Sequence, residues 1–248
     1  MIVFSEWAKN YDFNREYNSL TLQLLIDRFD ESKPYRILDF GCGTGNYLKA
    51  LSDFNQFDLY GLDQSQEMLD IATKKVPEAK FSIGNHKSLP YKADYFNLIY
   101  AIEVIHHISE IEYLFSQVSR VLLEKGHFVI STSSIEQLST RPWNKYFPDA
   151  MKIHKQRFHG LQFLIELADN NKLKHIDTIT IKEERTEIVP EWFVETAKKK
   201  LFSFFYFIDK DTYNKGLQKL TEDFYNKKTW HWQYEETTLV FKKSLDNY

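Results

Sequence analysis

The 248-residue sequence predicts an α/β fold: a doubly wound, mostly parallel seven-stranded sheet that carries a helical, aromatic-rich lid or insertion. Two observations support this prediction. Short apolar runs alternate with stretches of helical periodicity over the first 135 residues, which is typical of βαβ units. Several of these runs are apolar throughout, as expected for strands that are covered on both faces. Because connections between parallel strands are right-handed, the sheet should be doubly wound.

The elements of this predicted sheet follow each other in a regular order. The first helix carries Leu22, Leu25, Ile26 and Phe29 on one face. Strands are predicted at residues 36–40, 57–62, 80–83, 95–101 and 128–132. Helices are predicted at 46–54, from an N-cap at Ser65 to Val76, and from a capping box of Ser109 and Glu112 to Leu122, with Gly126 as the stop.

The rhythm changes after the fifth strand. Residues 135–160 show no clean period. A helix at 161–168 and a strand at 174–181 resume the alternating pattern. Residues 184–234 are predicted to be helical, and a last strand at 237–241 is expected to return to the sheet edge. The predicted organisation is an N-terminal helical segment (1–33), a core (34–183 and 235–248) and two lid segments (135–160 and 184–234). The lid is expected to cover the carboxyl ends of the strands and to determine which ligand binds there.

Composition and charge exclude several classes of protein. The chain is 43% hydrophobic and 27% charged, as packed globular proteins are, and no apolar run approaches the ~18 residues of a membrane span. The start of the chain shows no signal peptide, so a cytoplasmic location is expected. A single cysteine excludes an internal disulfide and a multi-cysteine metal site, and we expect no metal. The net charge of -3 without a clustered basic face argues against nucleic acid as a partner, and the oligomeric state stays open.

A glycine-rich loop follows the first strand, Asp39-Phe-Gly41-Cys-Gly43-Thr-Gly45. Ligands of doubly wound sheets bind at the carboxyl ends of the strands, and glycine lets the chain turn sharply there. Asp63 lies 22 residues after Gly41, at the end of the second strand, where an acid accepts hydrogen bonds from ribose hydroxyls. The alternatives are a tight turn without a ligand and an acid that serves the next helix beside Ser65. The glycine spacing fits neither the dinucleotide fingerprint nor the phosphate loop.

Residues 37–45, Ile-Leu-Asp-Phe-Gly-Cys-Gly-Thr-Gly, resemble motif I of the class I S-adenosylmethionine-dependent methyltransferases. The segments 62–69, 84–91 with 96–99, and 120–126 are similar, in order and spacing, to further parts of that family. This resemblance covers residues 34–135. It implies the class I methyltransferase fold, S-adenosylmethionine as cofactor with S-adenosylhomocysteine as product, and a small-molecule acceptor whose identity it leaves open.

The resemblance also implies a set of cofactor-binding residues. Asp39 would order the glycine loop or receive the ligand ammonium through water, and Asp63 would take the ribose hydroxyls. Asn85 replaces an aspartate that often accepts from the adenine amino group, and its side-chain oxygen retains that ability. The remaining members of the implied cofactor site are Tyr11, which would close over the cofactor, Gly41, Cys42 and Gly43 in the loop, Gln64 and Met68 beside the adenine, His86 flanking the ring, and Ala101.

Candidates for catalysis and acceptor binding are fewer. Glu103 follows the fourth strand, His106 has the titration range of a general base, and Tyr11 is the third candidate. Capping or packing is the alternative role for the histidine. Trp143, Tyr146 and Arg157 are the acceptor candidates, with core packing and a surface ion pair as their alternative roles.

Two other functions stay open at this point. One is methylation of transfer RNA or of protein, which would require a basic platform. The other is a cofactor-binding protein that transfers no methyl group, including one that uses the cofactor for cyclisation.

Overall fold

The computed structural model describes Asp12 and residues 18–27 and 35–244, and these fall into two compact units. The core unit comprises residues 18–27, 35–132, 159–179 and 237–244. The aromatic unit comprises Asp12 and residues 133–158 and 180–236. Among the described residues, no helix is both long and apolar enough to cross a membrane.

A seven-stranded sheet confirms the predicted fold class. Its strands are β1 (Tyr35–Phe40), β2 (Phe57–Asp63), β3 (Lys80–Ile83), β4 (Phe96–Ile102), β5 (Leu122–Thr132), β6 (Leu173–Ile188) and β7 (Thr229–Lys243). They lie in the order β3-β2-β1-β4-β5-β7-β6. The pairs from β3 to β5 are parallel, whereas β5 and β7 are antiparallel. Residues 173–179 of β6 and 237–243 of β7 belong to the core unit, and the rest of both strands belongs to the aromatic unit.

Helices of the core unit cover both faces of this sheet. They are α1 (Ser19–Ile26), α2 (Asn46–Leu51), α3 (Gln66–Lys75), α4 (Ile111–Val121) and α7 (Leu161–Asp169). Successive strand residues enter different apolar clusters: Leu38 and Ile99 lie in one, and Ile37 and Leu98 lie in the other. Side chains alternate between the faces of a strand, so two clusters mean two buried faces. This burial explains why the strand sequences are apolar throughout.

The predicted start of α4 is wrong. The helix begins at Ile111, and its N-cap is Glu110, whose side chain caps no backbone group. The Glu110 carboxylate pairs instead with Lys87. Ser109 lies one residue too early to act as the cap, so the capping box with Glu112 does not form.

The predicted role of Gly126 is wrong as well. Helix α4 ends at Val121, and Gly126 lies within β5. A Cβ at this position would lie 2.8 Å from the Leu123 carbonyl oxygen and 3.2 Å from that of Asn97. The ladder between β4 and β5 shifts register close by, between Phe96 and Leu98. The glycine therefore permits a close backbone approach inside the sheet.

The prediction that the last strand lies at the sheet edge is wrong. This strand, β7, lies between β5 and β6. It is also longer than predicted, and so is β6, so that residues 184–188 and 229–234 are strand instead of helix. Polar and apolar residues alternate over Thr229–Glu236, which is the pattern of a strand with one covered face. The aromatic content of this stretch obscured that pattern.

The aromatic unit contains residues 135–158 and 184–234 of the segments that the sequence assigned to a lid. Its helices are α5 (Ile135–Ser139), α6 (Asp149–Arg157), α8 (Glu191–Lys198) and α9 (Lys210–Tyr225), with short 3₁₀ turns at Pro142–Lys145 and Ser203–Tyr206. Rings form most of its core, including those of Tyr146, Phe147, Phe193, Phe204, Phe205, Tyr213 and Trp230. A Cβ at Gly216 would lie 2.4 Å from the Tyr146 carbonyl oxygen. Helix α9 therefore packs closely against this segment because residue 216 lacks a side chain.

Candidate cofactor site

The glycine loop turns back at the carboxyl end of β1. The backbone N–H groups of Gly41 and Cys42 both donate to the Leu62 carbonyl oxygen of β2, at 2.7 and 3.1 Å. Gly41, Gly43 and Gly45 have φ angles of 75°, 52° and 80°, a region that favours glycine. At Gly41 a Cβ would also lie 2.4 Å from Val104 Cγ2. Conformation and space thus both require glycine there.

Asp63 connects this loop to the start of α3. Its Oδ2 accepts from the Gly43 N–H at 2.9 Å, and its Oδ1 accepts from the Ser65 N–H at 2.9 Å. Burial raises the pKa of the carboxyl, and hydrogen bonds from the backbone of Ser65, Gly43 and Gln64 partly offset that rise. Asp63 therefore does serve the helix start, which was its alternative role. An ionised carboxylate has about four acceptor positions, so it retains capacity for hydroxyl groups of a ligand.

Asp39 is a buried acid at the end of β1. It lies in register with Gly61 of β2 and Tyr100 of β4. Burial, together with the charge of Asp63, raises its pKa to about 8, although the neighbouring Tyr100 side chain lowers it. An ammonium group near Asp39 would favour the ionised form, so the residue fits the role that the resemblance implies. Sequence reasoning missed Tyr100 because a tyrosine in an apolar strand has no distinguishing signal.

Cys42, the loop's remaining cofactor candidate, has a buried thiol. Burial and the charges of Asp39 and Asp63 raise its pKa well above the usual value. The thiol is therefore neutral and has no nucleophilic role at neutral pH.

The candidates for the adenine side follow β2 and β3. Gln64 is exposed and Met68 is 2% exposed at the start of α3. Asn85 Oδ1 accepts the Lys87 N–H at 2.9 Å, which leaves its amide N–H₂ free to donate. His86 Nε2 is buried without a hydrogen-bond partner, and burial lowers the pKa of its imidazole. A buried polar atom without a partner is rare, so His86 fits a site where a ligand supplies that bond.

The candidates for the reacting end lie after β4. Ala101 is fully buried, and Glu103 is exposed with a φ of 51°, while its N–H donates to the Ser131 carbonyl oxygen at 3.0 Å. His106 is 8% exposed in the turn Ile105–His107, where its ring centroid lies 4.3 Å from that of His107. A left-handed non-glycine residue at the end of a strand is a strained position of the kind found at active sites. Tyr11 lies outside the described residues.

The three acceptor candidates all belong to the aromatic unit. Tyr146 is a core residue whose hydroxyl donates to Asp223 at 3.1 Å. Trp143 is half-buried against Phe202, with ring centroids 4.9 Å apart. Arg157 Nη1 donates to Ser203 Oγ at 3.1 Å, and burial lowers the pKa of its guanidinium.

The core unit is thus an α/β domain whose parallel strands present a glycine loop and a nucleotide-type acid at one edge. A family model described as "Methyltransferase domain" matches residues 38–130. Residues 38–130 thus match a methyltransferase domain, which together with the fold supports a class I S-adenosylmethionine-dependent methyltransferase with S-adenosylmethionine as its cofactor.

Individual relatives agree with this family. The chain is 32% identical over 114 residues to the "Uncharacterized methyltransferase YcgJ" of Bacillus subtilis. This match covers 44% of this chain and 45% of that protein. It is 27% identical over 136 residues to the demethylmenaquinone methyltransferase of Thermotoga maritima, a match that covers 52% of this chain and 59% of that protein. It is 32% identical over 127 residues to the human "Probable tRNA methyltransferase 9B", a match that covers 46% of this chain and 27% of that protein. The matched region spans between about a quarter and three-fifths of these relatives' lengths.

A solved structure has the same fold. The crystal structure of YcgJ from Bacillus subtilis superposes with a TM-score of 0.65 at 19% identity, and the match covers 92% of this chain and 100% of that one. At this identity the comparison supports the fold alone.

Proposed function

We propose that this chain transfers the methyl group of S-adenosylmethionine to a small-molecule acceptor. The observation that carries the proposal is the bond from the Gly43 N–H to the Asp63 carboxylate. It holds motif I and the second-strand acid in one arrangement at the carboxyl edge of a domain that belongs to this family. The cofactor, when bound, supplies an electrophilic sulfonium methyl group.

The residues of this chain have three tasks in that reaction. Asp63 would bind the ribose hydroxyls and Asp39 would face the ammonium group, so that the cofactor would be held in position for in-line attack. The cofactor would supply a methyl group to a lone pair of the acceptor and would leave as S-adenosylhomocysteine. Where the acceptor carries a proton, Glu103 or His106 removes it.

The nature of the acceptor rests on weaker support. The net charge of -3 and the scarcity of clustered basic residues favour a small molecule over a polynucleotide. The relatives include both a demethylmenaquinone methyltransferase and a probable tRNA methyltransferase. The matched region, residues 38–130, is therefore compatible with either acceptor, and the aromatic unit, which the family model does not match, is the proposed source of the choice.

The test uses S-adenosylmethionine with a deuterated methyl group. The protein is incubated with fractionated metabolites, with transfer RNA, and without an acceptor, and the products are followed by mass spectrometry. We expect label in a small molecule only. Label in transfer RNA favours the second function, and cofactor consumption without an acceptor favours cyclisation chemistry. Asp63→Ala is the control, because weaker cofactor binding should lower the transfer of label when the cofactor is limiting.

A further inference from the structure

Arg141 is a buried cation whose guanidinium is only partly satisfied. Its side chain is 4% exposed, in the aromatic unit just before the turn Pro142–Lys145. Nη2 donates to Ser133 Oγ at 3.1 Å and to the Glu235 carbonyl oxygen at 2.6 Å. Nε and Nη1 are buried and donate to no group of the described chain. Both accepting groups of Nη2 are neutral, so nothing in these contacts balances the positive charge.

Acidic groups of the same unit are engaged elsewhere. Asp223 accepts from Lys145 and Lys228, each at 2.8 Å, and the Glu235 carboxylate pairs with Lys182 at 2.7 Å. Glu236 accepts the Tyr234 hydroxyl. Among the described residues, Arg141 takes part in none of the ion pairs. A buried charge without an opposite charge is costly, and native proteins avoid it unless a ligand completes the set.

The surroundings of Arg141 hold the guanidinium in place. Its central carbon lies 3.9 Å from the Tyr234 ring centroid and 5.6 Å from that of Trp143. The indole N–H of Trp143 is also buried and finds no hydrogen-bond partner among the described residues. Stacking on rings restricts the orientation of the guanidinium, so that its unused N–H groups remain available at low entropic cost.

His154 adds a second set of unused polar atoms. It is 5% exposed, and neither ring nitrogen has a hydrogen-bond partner in the described chain. Burial and the charges of Arg157 and Arg141 lower the pKa of its imidazole to about 4, so the ring is neutral at neutral pH and lies within electrostatic reach of both guanidinium groups. Buried donors of the same unit thus share an electropositive environment.

We propose that Arg141, Trp143 and His154 form an anion-binding site that holds a carboxylate or phosphate group of a small-molecule acceptor. The role of the bound molecule as methyl acceptor rests on the proposed function, whereas the binding of an anion at this site does not. Guanidinium groups bind both kinds of anion through charge-assisted hydrogen bonds. Because Arg141 is 4% exposed, a small ligand fits the site better than the backbone of a polynucleotide does.

The sequence analysis named Arg157, in the same unit, as an acceptor candidate and did not name Arg141. Nothing in the sequence separates Arg141 from other arginines, because its burial arises from Ser133 on one side and from the distant Tyr234 and Glu235 on the other. Only the folded unit makes it a candidate.

The first experiment measures anion binding without cofactor. Sodium phosphate and sodium acetate are titrated into the full-length protein by calorimetry at constant ionic strength, with sodium chloride as reference. We expect saturable binding that Arg141→Gln weakens by about ten- to a hundredfold, the loss of a charge-assisted hydrogen bond. Arg141→Lys retains the charge and should lose less, and His154→Gln provides a variant that leaves Arg141 intact.

Arg185→Gln is the matched control. Arg185 belongs to the same unit and lies 5.3 Å from the Trp232 ring centroid, but it is exposed and pairs with Glu183. Its substitution should leave anion binding unchanged. Equal affinity of wild-type protein and Arg141→Gln for both anions overturns the proposal, and so does the lack of saturable binding to wild-type protein. Binding of S-adenosylhomocysteine to every variant verifies that the core unit is folded.

The second experiment separates this inference from the proposed function. Candidate acceptors that bear a carboxylate or phosphate are compared with their neutral amides or alcohols in the labelling assay. We expect turnover of the anionic members, with a KM that Arg141→Gln raises. Equal kcat/KM for the neutral analogues overturns the assignment, as does transfer RNA that competes with phosphate in an Arg141-dependent manner. A failure of all methyl transfer, with phosphate still bound through Arg141, contradicts the proposed function and leaves the anion site standing.

Discussion

At the scale of single residues, two acids of the core unit differ in how the fold uses them. Asp63 accepts two backbone N–H groups, whereas Asp39 is 5% exposed and lies beside Tyr100 in the neighbouring strand. Hydrogen bonds to a carboxylate favour the charged form, and burial disfavours it. The two carboxyls at neighbouring strand ends should therefore respond differently to substitution.

Substitution of Asp63 is expected to weaken cofactor binding. Asp63→Ala removes the acceptor of the Gly43 N–H and the proposed acceptor of the ribose hydroxyls, which should cost about 1–3 kcal/mol of binding free energy for S-adenosylhomocysteine, measured by calorimetry. Asp58→Asn is the control, since Asp58 is an exposed residue of the same strand that pairs with Lys80. An unchanged Kd for Asp63→Ala would limit the residue to its role at the start of α3.

Substitution of Asp39 is expected to change how stability depends on pH. The folded-state pKa of about 8 lies above the ordinary value of 3.8, so between these pH values the folded state holds a proton that the unfolded state has lost. Wild-type stability should fall as the pH rises through this window. Asp39→Asn removes the titrating group, so it should exceed the wild type by a few kcal/mol at pH 8, on the order that such a shift implies, and approach it near pH 4. Denaturant unfolding at several pH values measures this, and a difference independent of pH contradicts it.

At the scale of elements, turns and helix contacts depend on a few positions with exact spatial requirements. The turn from β1 to α2 needs left-handed backbone at its glycines, and α9 is fixed by one buried acid. The sequence pattern located the first of these and not the second. The glycine loop is local in the chain, whereas Asp223 accepts hydrogen bonds from Tyr146 and Lys145, which lie 77 and 78 positions away in the sequence.

Gly41→Ala should destabilise the core unit. The φ of 75° is unfavourable for alanine, and the added Cβ would overlap Val104 Cγ2 at 2.4 Å, so we expect a loss of roughly 2–4 kcal/mol in the free energy of unfolding. Gly160→Ala is the control, because no atom lies within 4 Å of its Cβ position and its φ is -64°. Equal stability of the two variants would show that the turn can rearrange.

Asp223→Asn should destabilise the aromatic unit. Burial alone would raise the pKa of Asp223, but hydrogen bonds from Lys145, Lys228 and Tyr146 outweigh it and hold the pKa at about 2. The carboxylate is 3% exposed, so its loss should cost about 2–4 kcal/mol at pH 7.

The pH dependence provides the check on this variant. A folded-state pKa below the ordinary value stabilises the protein above about pH 4, and this contribution is lost as the pH falls toward 2. The difference between wild type and Asp223→Asn in thermal unfolding should therefore shrink in acid. Asp211→Asn, in the exposed first turn of the same helix, should behave like wild type.

At the scale of the whole molecule, the two units have different cores and different relations to known proteins. The core unit has apolar clusters on both sheet faces and contains the whole family match, residues 38–130. The aromatic unit has a core of stacked and tilted rings and the proposed anion site. Cofactor binding and acceptor choice thus belong, in our proposal, to different units.

Hydrogen exchange is expected to separate the two ligands. S-adenosylhomocysteine should protect residues 41–45, 63–68 and 84–87, because these segments contain the proposed cofactor contacts. Phosphate should protect residues 141–157. The lid predicted from the sequence additionally requires protection of residues 143–158 and of part of 184–234 by S-adenosylhomocysteine alone. Arg141→Gln should abolish the phosphate effect and leave the cofactor effect intact, and protection of 141–157 by phosphate in that variant would contradict the assignment.

The sequence by itself determined the fold class, the strands β1 to β5 and the place of the glycine loop and its acid. These features depend on patterns that are local: apolar runs, helical spacing and a motif of nine residues. Local patterns contain no information about which distant segments become neighbours. The position of β7 between β5 and β6, the placement of Tyr100 beside Asp39, and the burial of Arg141 among Ser133, Tyr234 and Glu235 were therefore decided only by the tertiary structure. Burial and electrostatic balance arise from contacts between segments far apart in the chain, and the proposed anion site depends on both.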